Sequence, residues 1–252
     1  MFINETHSTN DLLKKMSATE RLEEYYTIRT DYQSAGKGQQ GAKWESEKGK
    51  NLLVSILLYP NELEKKHPFR LTQLFTVATI QALQVVEPEQ TCSIKWPNDI
   101  YCGDKKLAGI LIENVLGEDG IEKSVLGMGL NVNQVVFSEA LPNPISLQLL
   151  TQKTYDIDNI LDNIVAELKK IRQMDDAELK SIYLSHLYRR DGFYPYVEIP
   201  VTADPMTIAK TNMEGAFKAK IVDIKPDGEI ELEKENNERK IYHFKQIKYI
   251  IL

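Results

Sequence analysis

Lys95 is the residue whose neighbours best prepare it to meet an anion. It ends the apolar run Ser93-Ile94-Lys95, and Trp96-Pro97-Asn98-Asp99 follows at once. Proline removes a strand donor and Asn-Asp favours a turn, so the backbone must reverse just after the lysine. A cation presented at such a strand end suits a phosphate or a developing negative charge. Asp99 closes the turn. A second motif, Gly36-Lys37-Gly38-Gln39-Gln40-Gly41, has G-x-G-x-x-G spacing. A dinucleotide fingerprint would open a helix, whereas here polar residues 42–50 lead into an apolar run. It is no Walker loop either, because its lysine lies among the glycines and not before Ser or Thr. Its backbone N–H groups can approach an anion closely. Lys37 and Lys43 add charge, and Trp44 offers a face for a base. The alternative is a plain surface loop with its tryptophan anchored in the core.

These residues need elements to hold them. Ser8-Thr9-Asn10-Asp11 reads as a helix N-cap cluster ahead of Leu12 and Leu13. Residues 25–32 alternate as a strand, and 52–59 form a continuous apolar strand. Phe69, Leu74, Val77, Ala78 and Leu83 predict a helix over 67–86. Strands are predicted near 92–96, 106–114 and 123–132, joined by glycine turns at Gly103-Asp104 and Gly117 to Gly120 as an antiparallel meander. Ile157, Ile160, Leu161, Ile164, Val165, Leu168 and Ile171 make a helical stripe, and a further helix covers 176–189. Short strands then follow at 197–201, 216–224, 229–233 and 240–244, with Pro226-Asp227-Gly228 as a hairpin turn. The pattern is that of an α/β unit followed by a small β-barrel.

Composition narrows the function. A net charge of −6 argues against a protein built to coat nucleic acid. The longest apolar run, 52–59, is too short to span a bilayer, and no basic-then-apolar leader is seen at the N-terminus. Cys92 and Cys102 are the only cysteines, so no disulfide framework is expected and a cytoplasmic setting is the default.

Ser8-Thr9-Asn10, Gln33 to Gly41 with Lys43-Trp44, Lys95 to Asp99, Lys106-Leu107-Ala108-Gly109-Ile110-Leu111-Ile112-Glu113 and Gly127-Met128-Gly129-Leu130-Asn131-Val132 occur in a recognisable order. In that order the chain resembles the biotin–protein ligases, also called biotin–[acetyl-CoA-carboxylase] ligases. The resemblance implies a class II aminoacyl-tRNA synthetase-like catalytic domain over 1–190, a mixed and largely antiparallel sheet flanked by helices. It also implies a Src-homology-3-like barrel over 191–252. The implied reaction joins biotin and MgATP into biotinyl-5′-adenylate, then passes biotin to a lysine of a biotin carboxyl carrier domain. Ser8, Thr9, Asn10, Gln33, Gly36, Lys37, Gly38, Gln39, Lys95 and Gly109 are the implied biotin contacts. Lys37, Gly38, Trp44, Lys95, Asn98 and Asn131 are the implied ATP or adenylate contacts. Lys95 and Lys37 are the implied catalytic cations, Asp99 is the candidate Mg2+ ligand, and Met128 is a packing residue. The loop departs from the common pattern, with Lys37, Gln39 and Ala42 standing where arginines are usual. Lys37 keeps the charge but loses the bidentate fork. Three other functions compete: a lipoate–protein ligase, a biotin-responsive DNA-binding regulator and a non-catalytic biotin-binding module. The early position of Ser8-Thr9-Asn10 leaves no room for a preceding DNA-binding domain, so no DNA partner is expected, while a homodimer is left open.

Overall fold

The run Leu52-Leu53-Val54-Ser55-Ile56-Leu57-Leu58 is buried at every residue, which requires cover on both faces of its strand. The computed structural model, which describes residues 1–199 and 215–251, shows how this is achieved. In chain order its strands and helices are β1 (Phe2–Ile3), α1 (Thr9–Thr19), β2 (Thr27–Thr30), β3 (Leu52–Leu58), α2 (Glu62–Lys66), α3 (Phe69–Val86), β4 (Cys92–Lys95), β5 (Asp99–Cys102), β6 (Lys105–Gly117) and β7 (Gly120–Leu130). Then come α4 (Leu147–Thr151), α5 (Ile157–Ile171), α6 (Asp176–Ser185), β8 (Tyr194–Glu198), β9 (Phe217–Ile224), β10 (Ile230–Lys234), β11 (Arg239–Tyr242) and β12 (Ile247–Tyr249). Among the described residues the strands form a seven-stranded sheet, β1-β2-β3-β7-β6-β5-β4, and a five-stranded sheet, β11-β10-β9-β8-β12. In the first sheet only β1 and β2 pair in parallel, so the sheet is mixed and largely antiparallel, as expected.

Side chains alternate across a strand. Leu52, Val54, Ile56 and Leu58 therefore join the large core with α3 and α5, while Leu57 packs with Leu13 of α1 on the other face. On α5 the stripe Ile157, Ile160, Ile164, Leu168 and Ile171 is buried. Each such side chain contributes roughly 1.5–3 kcal/mol on leaving water.

Several elements differ from expectation. β5 was not predicted as a strand; it is four residues long and starts on an aspartate, so it shows no alternation to read. β1, β12, α2 and α4, of two to five residues, are also too short to show a strand or helix period. The last helix ends at Ser185, four residues before the predicted end, because the next residues run beside β4. Ile94 donates its N–H to the His186 carbonyl at 2.7 Å, and Tyr188 donates to the Ile94 carbonyl at 2.9 Å. The strand predicted over 197–201 begins at Tyr194 and ends at Glu198; Pro200 and Val201 lie outside the described residues. The five-stranded sheet docks on the first unit through Trp96, whose Nε1–H donates to the Gly228 carbonyl at 2.8 Å. A single core cluster includes Ile94 and Leu179 together with Tyr196, Ile221 and Ile230. Among the described residues no helix is long and apolar enough to cross a membrane.

Candidate active site

Strand register assembles the site. Lys95 pairs with Asp99, Asp99 with Gly109, and Gly109 with Gly129. Residues directly opposite in a ladder share a face, so these four form one row across β4, β5, β6 and β7. The adjacent row on that face joins Leu111, Gly127 and Ser55. Gly127 and Gly129 alternate with Met128, which points into the opposite core at 4% exposure. A Cβ on Gly127 would overlap the Asn10 side-chain amide, and one on Gly129 would overlap the Trp44 indole. The Gly-Met-Gly motif is thus a bare floor on which two side chains lie. Above it is a cavity of about 590 Å³, of the size that takes a cofactor or small substrate.

One end of the cavity is neutral. Ser8 caps α1, its Oγ accepting the Asp11 N–H at 3.4 Å, so its capping and lining roles coexist. Thr9 donates its N–H and its hydroxyl to Gln33 Oε1 at 2.8 and 3.1 Å. Asn10 donates to the Leu111 carbonyl at 3.3 Å and to Glu113 at 2.8 Å. The Ser55 hydroxyl is shared between Thr9 Oγ1 at 2.7 Å and Asn10 Oδ1 at 2.5 Å. Ser55 is fully buried at the centre of this network, yet a lone serine in an apolar strand gave no signal in the sequence.

The other end is charged. Five lysines (37, 43, 95, 106 and 245) and one aspartate, Asp99, line the cavity, a strong local excess in a chain of net charge −6. No carboxylate among the described residues lies within ion-pair distance of Lys95. Its ammonium instead sits over the rings of Tyr101 and Tyr249, 5.3 and 5.0 Å from their centroids. Burial holds the Lys95 pKa below the ordinary lysine value; Lys106 and Arg189 push the same way, and Asp99 opposes them. Burial also pushes the Tyr101 hydroxyl up to about 12. Lys106 pairs with Asp99 at 2.8 Å. Trp44 leaves its buried Nε1–H without a partner.

The glycine loop is a closed hairpin and not an open strap of N–H groups. Trp44 donates to the Gly36 carbonyl at 3.0 Å and Gly38 to the Ala42 carbonyl at 2.7 Å, around a one-turn 3-10 helix at Gln39–Gly41. Gly38 and Gln39 line the main cavity, while Gly36 lies behind the loop. Lys37 is turned to α1, where its ammonium meets Asp11 at 2.5 Å. Burial raises the Asp11 pKa, but Lys37 and Lys14 outweigh it and hold the carboxyl below its usual value. Asn98 lines the cavity and donates its amide to the Ile110 carbonyl. Asn131 is not brought to the cavity: it is 4% exposed and donates to the Ile145 carbonyl at 3.0 Å, fastening the 143–147 segment to the end of β7. Sequence reasoning also missed Tyr249, Phe244 and Lys245, because nothing local says that the C-terminal sheet folds back onto this row.

Residues 2–131 match the model of the biotin/lipoate A/B protein ligase family, more than half of the chain. The chain belongs to that family. Among curated relatives within reach of this family member, the bifunctional ligase/repressor BirA of Bacillus spizizenii is 31% identical over 225 residues, 85% of this chain and 63% of that protein. The biotin–[acetyl-CoA-carboxylase] ligase of Mycobacterium tuberculosis is 29% identical over 171 residues, 66% of this chain and 61% of that protein. The chain thus spans about 63% of the length of the first of these relatives. Among solved structures, the biotin protein ligase from Aquifex aeolicus in complex with biotin and ATP superposes with a TM-score of 0.75 at 24% identity, covering 99% of this chain and 98% of that one. That likeness shows the fold: a mixed seven-stranded sheet with helices, followed by a small five-stranded C-terminal sheet.

Proposed function

We propose that this family member is an ATP-dependent biotin–protein ligase. The observation that carries the reading is a single cavity with a neutral, hydrogen-bonded end and a cationic end with an indole on a glycine floor. A ureido ring offers one acceptor and two donors, which suit the hydroxyls and amides of Ser8, Thr9, Asn10 and Gln33. Biotin's valeryl carboxylate then reaches the cationic row, where ATP places its α-phosphate. A carboxylate oxygen attacks the α-phosphorus and pyrophosphate leaves. Lys95 stabilises the charge that gathers on the phosphoryl oxygens; losing such a donor typically costs about 3–4 kcal/mol. The ε-amine of a carrier lysine then attacks the anhydride carbonyl, an amide forms and AMP departs.

Mg2+ enters with the nucleotide as MgATP. Among the described residues no group of three His, Cys, Asp or Glu side chains is placed to hold a metal. A phosphate-borne Mg2+ needs only one or two protein carboxylates, and Asp99 is the one on the cavity wall among the described residues. The macromolecular partner is a biotin carboxyl carrier domain. We place the reaction in the cytoplasm, in keeping with the two free, buried cysteines. The test is transfer of radiolabelled biotin to a carrier domain with and without MgATP, with lipoate as the competing acid. ATP-dependent labelling by biotin alone is expected; labelling by lipoate, or none at all, would overturn the reading.

A further inference from the structure

Cys92 and Cys102 take no part in the reaction outlined above, yet the hairpin that carries Lys95 brings them face to face. Cys92 opens β4 and Cys102 ends β5. The two strands pair Lys95 with Asp99, Ile94 with Ile100, Ser93 with Tyr101 and Cys92 with Cys102. In an antiparallel ladder, pairs that exchange two hydrogen bonds alternate with pairs that exchange none. Ile94 identifies which is which, because both of its backbone groups turn away from β5. Its N–H donates to the His186 carbonyl, and its carbonyl accepts from the Tyr188 N–H. Ile94 and Ile100 are thus a non-hydrogen-bonded pair. Two residues along each strand, Cys92 and Cys102 are another, on the same face. Such partners have Cα atoms about 4.5 Å apart with their side chains drawn together, and a disulfide spans Cα separations of roughly 4.4–6.8 Å.

The surroundings favour the same bond. Both cysteines are free, at 4% and 6% exposure in the large core cluster. A hydrogen bond to Cys102, and then burial, hold the Cys92 pKa far above the ordinary thiol value, so Cys92 is the proton donor of the pair and Cys102 the acceptor. The two lie at the open end of the hairpin, beside the exposed residues Thr91 and Gly103. Fraying of that end admits a small oxidant without unfolding the sheet. A bond between them encloses residues 92–102, and with them Lys95, Asn98 and Asp99.

We propose that Cys92 and Cys102 are an oxidation site for hydroperoxides, closing a cross-strand disulfide that staples the Lys95 hairpin in its present register. The Cys102 thiolate attacks a peroxide oxygen, the O–O bond breaks, and the hydroxide that leaves takes up a proton to become water. The Cys92 sulfur then attacks the resulting sulfenic sulfur, the S–O bond breaks, and the hydroxyl departs with the Cys92 proton as a second water. Two thiols lose two electrons, and one peroxide is reduced to two waters. Because the register already brings the sulfurs together, the staple leaves Lys95 and Asp99 where they are. Neither cysteine lines the cavity, so the bond and the ligase reading stand or fall separately.

The test is treatment of the full chain with hydrogen peroxide, read by intact mass, thiol titration in denaturant and thermal unfolding. The product should be a single chain lighter by two hydrogens and without titratable thiols. Its melting temperature should rise by roughly 5–10 °C, the shift for a closed loop of this length, and return with dithiothreitol. Cys92→Ala and Cys102→Ala should each show no rise, and oxidised wild type should form adenylate within twofold of the reduced rate. A wild type that gains oxygen, links two chains or melts no higher than the reduced protein would overturn the proposal. A rise that persists in either variant, or a larger loss of adenylate formation on closing the bond, would do the same. A reduced chain that forms no adenylate would overturn the ligase reading and leave the mass and melting comparison intact.

Discussion

At the neutral end of the cavity Thr9, Asn10, Gln33 and Ser55 are hydrogen-bonded to one another, while at the cationic end Lys95 faces two rings and Lys106 shares one carboxylate. The difference follows from what each end can leave unpaired. A buried hydroxyl or amide without a partner costs about 1–3 kcal/mol, so neutral groups must satisfy each other before a ligand arrives. Lysines at a half-open wall keep water and aromatic faces as temporary company, so they can wait for an anion. The neutral end should therefore recognise by fixed geometry, and the charged end by exchange of partners.

The sharpest break between the two ends is Lys95→Ala. Adenylate formation, followed as pyrophosphate release, should fall about 100- to 1000-fold while biotin binding persists; comparable loss of both would dissolve the distinction. Next come the two floor glycines. Gly129→Ala forces Trp44 off the floor and should lower the rate of adenylate formation, whereas Gly127→Ala displaces Asn10 and should weaken biotin binding. Overpacking of about 1–3 kcal/mol sets each effect at several-fold to a hundredfold, and titration with biotin and with ATP separates them. A crossed result would show that the floor is not divided as described. Ser55→Ala removes the hydroxyl shared by Thr9 and Asn10 and should cost about tenfold in biotin affinity by calorimetry, with ATP affinity unmoved.

The smallest effect is one of pH. The folded state holds the Lys95 pKa below the 10.5 of a free lysine, chiefly through burial. In the window between the two values the unfolded chain binds the proton and the folded chain does not, so stability rises with pH there. Wild type should gain on Lys95→Met in chemical denaturation as pH increases through that window, and be the less stable of the two at neutrality. Adenylate formation should decline on the alkaline side before an ordinary lysine would titrate. A flat difference between the two proteins would show that burial does not strain this charge.

Much of the site was legible because it is written in contiguous motifs. The Lys95 turn, the Ser8 cap and the glycine loop each carry local turn or capping chemistry that needs no knowledge of neighbours. What escaped depends on pairing across strands. Lys106 faces the cavity only because Leu107 is extra in one ladder, and parity along the strand points the other way. Ser55 matters only because register sets it opposite Gly127 beside α1. Asn131 stands one residue beyond β7, where the backbone leaves the row and its amide meets Ile145 instead. The fold was read in the same manner: long periodic segments such as 157–171 were plain, while four-residue β5 was invisible until β4 and β6 flanked it.

The indole of Trp44 on its glycine floor makes the cavity optically readable. The chain has two tryptophans. Trp96 also borders the cavity, but it is 3% exposed and its N–H is bonded to Gly228, so a Trp96→Phe variant isolates the Trp44 signal. Trp44 lies in the cavity wall beside an ammonium, where any change of charge or packing alters its emission. Intrinsic fluorescence of the unlabelled protein is therefore a direct signal for entry into the charged end, and its time course separates arrival of the nucleotide from the chemistry that follows.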